Sequence, residues 1–208
     1  MPDAGGEVLA TRVAFLELQD ERRLVQEGYE LLDEKRMLLA TEIMRQMRRH
    51  RELKEILAVH EREAREALEA AVDACGFDDL TVHPKRSLED SLLRTNAQHF
   101  LGITLQDAAL DDPGPRAGPL PSPTPFPEAR DCAWAFRDLV ADQAAVAACA
   151  GNLRRLVREY TRTERRARAL ENVVIPEIDV SLRYIEEQLD AVDQEEAVRV
   201  RNAAGARA

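Results

Sequence analysis

Aromatic residues are scarce, at 4% of 208 residues. A globular core normally draws much of its buried area from Phe, Tyr and Trp. A chain this poor in them is expected to be elongated, with a thin apolar seam and much solvated surface. Cysteine is nearly absent as well. Its three residues, Cys75, Cys132 and Cys149, stand far apart and form no C-x-x-C spacing. An odd count without that spacing argues against both a disulfide scaffold and a zinc site, and a reducing cytosol is the expected setting. No apolar run reaches the roughly 18 residues of a membrane span. The opening stretch MPDAGGEVLATR lacks the basic region and apolar run of a secretory leader. An excess of positive charge is missing too. Lys and Arg number 29 against 39 Asp and Glu, for a net charge of −10, which speaks against a general nucleic-acid binder.

Catalytic signatures are also wanting. The chain contains no phosphate-binding GxxxxGK[ST] loop, no GxGxxG and no GxSxG. Its histidines, His50, His60, His83 and His99, never form an HxxxH or HExxH pair, so no metal and no cofactor are expected. Neighbouring carboxylates such as Glu186 with Glu187 and Glu195 with Glu196 read as the solvated face of a charged helix. The expectation is a protein without an active site of its own.

What is present is order along the chain. Residues 7–75 hold one glycine, Gly28, and no proline. Residues 76–130 hold eight of the ten prolines, and residues 131–201 hold only Pro176 and Gly151 of the two helix breakers. This pattern predicts an N-terminal helix over 1–75, an insert over 76–130, and a C-terminal helix over 131–208 with a frayed tail from Asn202. Each helix would run about 65 residues, or about 95 Å, and helices of that length usually pair. Apolar residues recur at steps of three, four and seven. One seam runs through Val25, Leu32, Leu39, Ile43, Met47, Leu53, Leu57, Ala64 and Leu68. The other runs through Leu139, Val146, Leu153, Tyr160, Ala167 and Val174, then Ile178, Leu182, Ile185, Leu189 and Val192. Lys35, Arg36, Gln46 and His50 fall on or beside the first seam and are expected to weaken it while fixing its register.

The fold class predicted is therefore all-α dominated: a long antiparallel two-helix coiled coil with a small, β-containing, Pro-rich insert at one end. If Cys75 and Cys132 face each other, mild oxidation should bridge them in preference to Cys149. Within the insert, residues 99–105 (HFLGITL) predict a strand around Gly102, residues 80–83 (LTVH) a weaker one, and residues 113–127, with seven prolines, a solvated loop.

Charge is clustered. Residues 43–51 carry four arginines and no acid, and residues 154–168 carry seven arginines against Glu159 and Glu164. In an antiparallel register that sets Cys75 opposite the start of the second helix, these runs overlap as one basic collar, with Arg45–Arg51 facing about 155–161. Acids are too few there to pair the arginines within the helix, so the collar is expected to face an acidic partner surface, for which guanidinium is suited. Arg48, Arg49, Arg162, Arg165 and Arg166 are the candidate contacts. Pro176 is a second oddity. It removes a helical N–H and crowds the carbonyl of Asn172, so a kink or bulge is expected there, with the helix continuing beyond.

The stretch RTERRARALENVVIP, residues 162–176, resembles the signature of the D subunit of the V-type and A-type rotary ATPases, a run like KTRRRVNALE-x-VVIP followed by an acidic helix. The following IDVSLRYIEEQLD looks like that helix. The N-terminal TRVAFLEL and ELLDEKRMLL are similar to the family's opening helix, and NAQHFLGITL is more weakly similar to its RNVMGV-like strand. Ala10 stands where the family often has proline and Arg168 where it has the asparagine of NALE. A proline-rich stretch stands where a second strand is usual.

The resemblance implies a central rotor shaft. It would couple ATP hydrolysis or synthesis in a hexamer of A and B subunits to proton or sodium transport. Its other partners would be the small F subunit of the stalk and a socket subunit, C or d, of the membrane ring. The shaft would be cytoplasmic, held at the membrane through the complex and non-catalytic. Two other classes stand beside this reading. One is a non-motor antiparallel coiled-coil scaffold or tether, which fits the seams but not the VVIP signature. The other is a membrane-curving helical module using the basic collar on anionic lipid, which the neighbouring acidic stretch 177–196 opposes.

Overall fold

A stretch without proline offers nothing to break a helix once it has nucleated. In the computed structural model, which describes residues 10–82, 92–111 and 126–205, that stretch becomes α1, Arg12–Val82. The hydroxyl of Thr11 accepts the N–H of Ala14 at 3.1 Å, the bond of a helix N-cap. Gly76 departs from helical geometry inside α1, with φ 78° and ψ 159°, a region glycine enters without a Cβ clash. Helix resumes after it, so Leu80–Val82 are helical and not the strand expected for 80–83. A short run of β-type residues is a weak preference and does not outweigh helix continuation; His83 lies outside the described residues.

The insert also differs from expectation. Residues 99–105 are not one strand but the bend of a hairpin. Strand β1, Leu92–Phe100, pairs antiparallel with β2, Ile103–Asp111, in a register running from Leu92 opposite Asp111 to Phe100 opposite Ile103. The two-residue turn has φ 48° at Leu101 and 84° at Gly102. Positive φ at both positions is the turn whose twist matches paired strands, and glycine makes it accessible. A second strand is thus present ahead of the prolines. Of the predicted loop 113–127, residues 113–125 lie outside the described residues, and Pro127 opens a helix, where its missing N–H costs nothing.

That helix is α2, Pro127–Ala169. It passes through a five-residue π-turn, Leu170–Val174, into α3, Ile175–Gly205. The N–H of Ile175 donates to the carbonyl of Leu170, one residue further back than in an α-helix. The wide turn stands directly before Pro176, where an α-helical ladder would lose a donor and meet a crowded carbonyl. It also inserts one residue into the pattern. Half-buried Leu170 and Val174 lead to buried Ile178 by two steps of four, where a heptad would alternate four and three. Helix continues through Asn202–Gly205, where fraying was expected. Helix accounts for 87% of the described residues, an all-α chain with one small antiparallel sheet.

The chain divides into two units. Unit 1 comprises Met1–Leu38 and Tyr160–Ala208, and unit 2 comprises Leu39–Glu159. In unit 1, Thr163, Ala167, Ile178 and Ile185 are buried. Arg12 pairs with Asp193 at 3.0 Å and Arg22 with Asp179 at 2.5 Å, so these segments run antiparallel. In unit 2, two interleaved ladders on α1, Leu39–Gln46–Leu53–His60 and His50–Leu57–Ala64–Ala71, are buried or half-buried. Leu139, Cys149, Asn152 and Leu156 of α2 are buried in the same unit. Two seam predictions are corrected. Met47 is 45% exposed and Val192 59% exposed. The inward place expected of Met47 belongs to its neighbour Gln46, because a heptad line shifts sideways when read one residue off.

Candidate interaction surfaces

The polar centre of unit 2 starts from Gln46, which is on the seam and 3% exposed. Its amide donates to Glu42 Oε1 at 2.9 Å. The thiol of Cys149 on α2 donates to the Gln46 backbone and side-chain oxygens, each at 3.5 Å. Arg45 closes on the same carboxylate with two bonds of 2.7 Å. Burial pushes the Glu42 carboxyl up, but hydrogen bonds from Arg45 and Gln46 outweigh that and hold it below the usual range. Burial raises the thiol pKa of Cys149, so Cys149 is a packed donor rather than a thiolate.

One turn further along α2, Asn152 holds the hairpin. Its Oδ1 accepts the backbone N–H of Gln106 at 2.8 Å, and its Nδ2 donates to the Gln106 carbonyl at 2.8 Å. The side-chain amide thereby completes, at one residue, the pairing a neighbouring strand would give β2. Arg155 donates to the same Oδ1 at 2.6 Å. On the α1 side, Arg49 reaches Asp107 at 2.9 Å, while Ile103 and Leu105 of β2 are buried. The hairpin is therefore tied to both helices of unit 2.

Two further pairs fix the antiparallel direction in unit 2. His60 Nδ1 hydrogen-bonds Asp142, which raises the His60 pKa. Cys132 is buried, and its thiol pKa is pushed up by burial and by nearby Cys75. The pairs Gln46–Cys149, His60–Asp142 and Cys75–Cys132 follow one another in antiparallel order, and Cys75 lies near Cys132, as the predicted register sets it.

A family model for the ATP synthase D subunit matches residues 14–204 of the chain. The chain belongs to the ATP synthase D-subunit family. It is 28% identical over 199 residues to an A-type ATP synthase D subunit of Methanopyrus kandleri, covering 94% of this chain and 84% of that protein. It is 29% identical over 209 residues to a V-type ATP synthase D subunit of Thermus thermophilus, covering 96% and 88%. It is 24% identical over 200 residues to a V-type ATP synthase D subunit of Thermotoga neapolitana, covering 93% and 95%.

In this member of the D-subunit family the predicted site residues fall in both units. Arg48 and Arg49 are exposed on α1 in unit 2, and Arg162, Arg165 and Arg166 are exposed on α2 in unit 1. Arg49 is engaged by Asp107. Pro176 is exposed in the first turn of α3. Among the described residues no cluster of His, Cys, Asp or Glu could hold a metal. No described helix is long and apolar enough to cross a membrane. Sequence reasoning passed over Asn152, and one signal was available: a polar amide that shares a helix face with Cys149 and Leu156, where an apolar residue would be routine.

Proposed function

We propose that this chain is the central rotor shaft subunit of a V/A-type rotary ATPase. In this reading it couples ATP hydrolysis or synthesis in a hexamer of A and B subunits to proton or sodium transport, and is itself non-catalytic. Its partners are the A and B subunits, the small F subunit of the stalk, and a socket subunit, C or d, of the membrane ring. It is cytoplasmic and peripheral to the membrane through that complex. The observation that carries this reading is the family match across residues 14–204. Two structural features support it: antiparallel helices with a periodic seam in each unit, suited to carrying torque, and arginines exposed on the helical surface.

In this proposal Arg48, Arg49, Arg162, Arg165 and Arg166 touch acidic stator surface as the shaft turns. Such contacts must be several and individually weak. A deep bidentate salt bridge at one angle would hold the rotor there, whereas exposed pairs of about 0.2–1 kcal/mol each can form and release. The test reconstitutes the chain with A and B subunits and measures assembly and ATP turnover across salt concentrations. Replacing all five arginines with glutamate should weaken assembly and leave the isolated chain helical, since the seam is untouched. Because Arg49 also holds the hairpin through Asp107, a fourfold variant that keeps Arg49 separates partner contact from hairpin loosening. Unchanged assembly and turnover at low salt, where such contacts are least screened, removes these arginines from the mechanism. Failure of the unaltered chain to join the A and B subunits removes the shaft assignment itself.

A further inference from the structure

Two of the three free thiols stand where the insert leaves one helix and enters the next. Cys75 directly precedes Gly76, the break in α1, and Cys132 lies in the second turn of α2. Both occupy seam positions. Ala64, Leu68, Ala71 and Cys75 follow one another at steps of four, three and four and are buried or half-buried. On α2, Cys132, Ala135 and Leu139 do the same at steps of three and four. The contacts Gln46–Cys149 and His60–Asp142 set the two helices antiparallel, and Cys75 and Cys132 come next in that order. The pKa of the Cys132 thiol is raised by burial first and then by the charge of Cys75, an effect that fades with distance between the sulfurs.

Three features set this pair apart from an ordinary packed contact. No third thiol competes, because Cys149 lies about 25 Å further along α2 and donates to Gln46. Access is unequal, since Cys75 is half-buried and Cys132 is only 7% exposed. The backbone beside Cys75 also has room. Gly76 stands at φ 78°, and a Cβ added there would meet nothing within 4 Å. A disulfide needs its Cα atoms roughly 4.4–6.8 Å apart, and that open bend lets Cys75 shift to meet the requirement. The bond it would give up, from the Cys75 thiol to the carbonyl of Ala71 at 2.8 Å, comes from a weak donor.

We propose that Cys75 and Cys132 form a reversible disulfide latch across the base of the insert, closed by a small oxidised disulfide and opened by a small thiol. Closure takes two exchanges. Cys75, the thiol that solvent reaches, loses its proton, and its sulfur attacks one sulfur of the small disulfide. That S–S bond breaks, a mixed disulfide forms on Cys75, and the departing thiolate takes up a proton. Cys132, deprotonated in turn, attacks Cys75 Sγ. The protein's own S–S bond forms as the mixed one breaks, and a second small thiol leaves. The two cysteines are oxidised by two electrons and lose two protons, and the small disulfide gains both. Burial keeps the proton on Cys132, so it resolves the mixed disulfide rather than attacking first. In a reducing compartment the latch stands open and closes on exposure to oxidant, the usual pattern of a cytosolic redox-sensing disulfide. Closed, it ties α1 to α2 at both ends of residues 76–131, with the β1–β2 hairpin between them. The proposal concerns unit 2 alone and does not rest on the rotor reading.

The test treats the folded full chain with oxidised glutathione and maps its thiols by peptide mass spectrometry. A 75–132 bridge should form within one chain, Cys149 should stay free, and excess reduced glutathione should reopen the bridge. Cys132→Ala should stop at glutathione on Cys75, and Cys75→Ala should leave the chain unmodified, with circular dichroism confirming that both are folded. In the bridged chain, amide exchange at 77–82 and 127–131 should slow at least about tenfold, because the crosslink restricts local opening. Any of several results overturns the proposal. These are a mixed disulfide on Cys75 that never resolves, a bridge through Cys149 or between two chains, and a bridge that forms only in urea. A bridge that excess reduced glutathione cannot reopen, or exchange unchanged in both segments, overturns it as well.

Discussion

Units 1 and 2 use the same material, antiparallel helical segments with a heptad seam, in different ways. In unit 1 the buried residues are small or aliphatic, with Thr163 the one polar group among the described residues. Its long-range ion pairs, Arg12 with Asp193 and Arg22 with Asp179, lie at the surface. In unit 2 the seam itself is polar. Glu42, Gln46 and Asn152 are buried there and satisfied by named partners. An apolar seam rewards burial and tolerates small slips. A buried amide with two bonds to one backbone residue tolerates none, because a slip leaves donors and acceptors unpaired. Polar burial occurs where a third element, the hairpin, must meet the two helices in one register.

Several substitutions can break or sharpen this contrast. The largest effect should come from Ile185→Ala in unit 1 and Leu156→Ala in unit 2, each fully buried. Loss of about 2–5 kcal/mol is expected in either unit, measured by urea denaturation. A negligible effect in one unit would show that its seam does not hold it together. Next comes Asn152→Ala, which strands the Gln106 N–H and carbonyl and should cost about 1–3 kcal/mol. Amide exchange should rise across β2 and leave unit 1 unchanged. If β2 amides stay protected, the clasp is not what holds the hairpin.

A smaller effect concerns pH. The hydrogen bond that His60 donates to Asp142, together with the charges of Asp142, Glu63 and Asp138, raises the His60 pKa above its ordinary 6.5. The folded chain then binds that proton more tightly than the unfolded chain. The resulting stability is whole below pH 6.5 and is lost as pH climbs through the raised value. The pair is partly exposed, so about a few tenths of a kcal/mol is the expected scale. His60→Gln should flatten this part of the stability-versus-pH curve, and an unchanged curve would exclude the pair as its source. The smallest effect belongs to Arg22→Met. It breaks an exposed ion pair and should leave the thermal midpoint nearly unmoved, with any difference vanishing at high salt.

Much of this was legible before the structure. The absence of proline and the seven-residue steps determined long helices, and the 162–176 stretch pointed to the family. The exposure of the five arginines followed from charge alone, since a guanidinium group is rarely fully buried. What escaped reading shares one cause. Residues 99–105 carry β-type residues on both sides of Gly102, and single-sequence pattern cannot say whether such a run is one strand or the bend between two. That depends on where a partner strand lies. The partner of Gln46 escaped for the same reason, since a heptad pattern does not say which side chain of the other helix a buried amide meets.

The sequence by itself determined the helical class, the place of the breaks at Gly76 and near Pro176, and the division of charge along the chain. These depend on backbone sterics and on the period of apolar residues, which act locally. Only the tertiary structure decided that Gln46 meets Cys149 and that Asn152 grips the backbone of Gln106. Those outcomes depend on which distant surfaces pack and which buried polar groups find partners, and a local pattern carries no record of either.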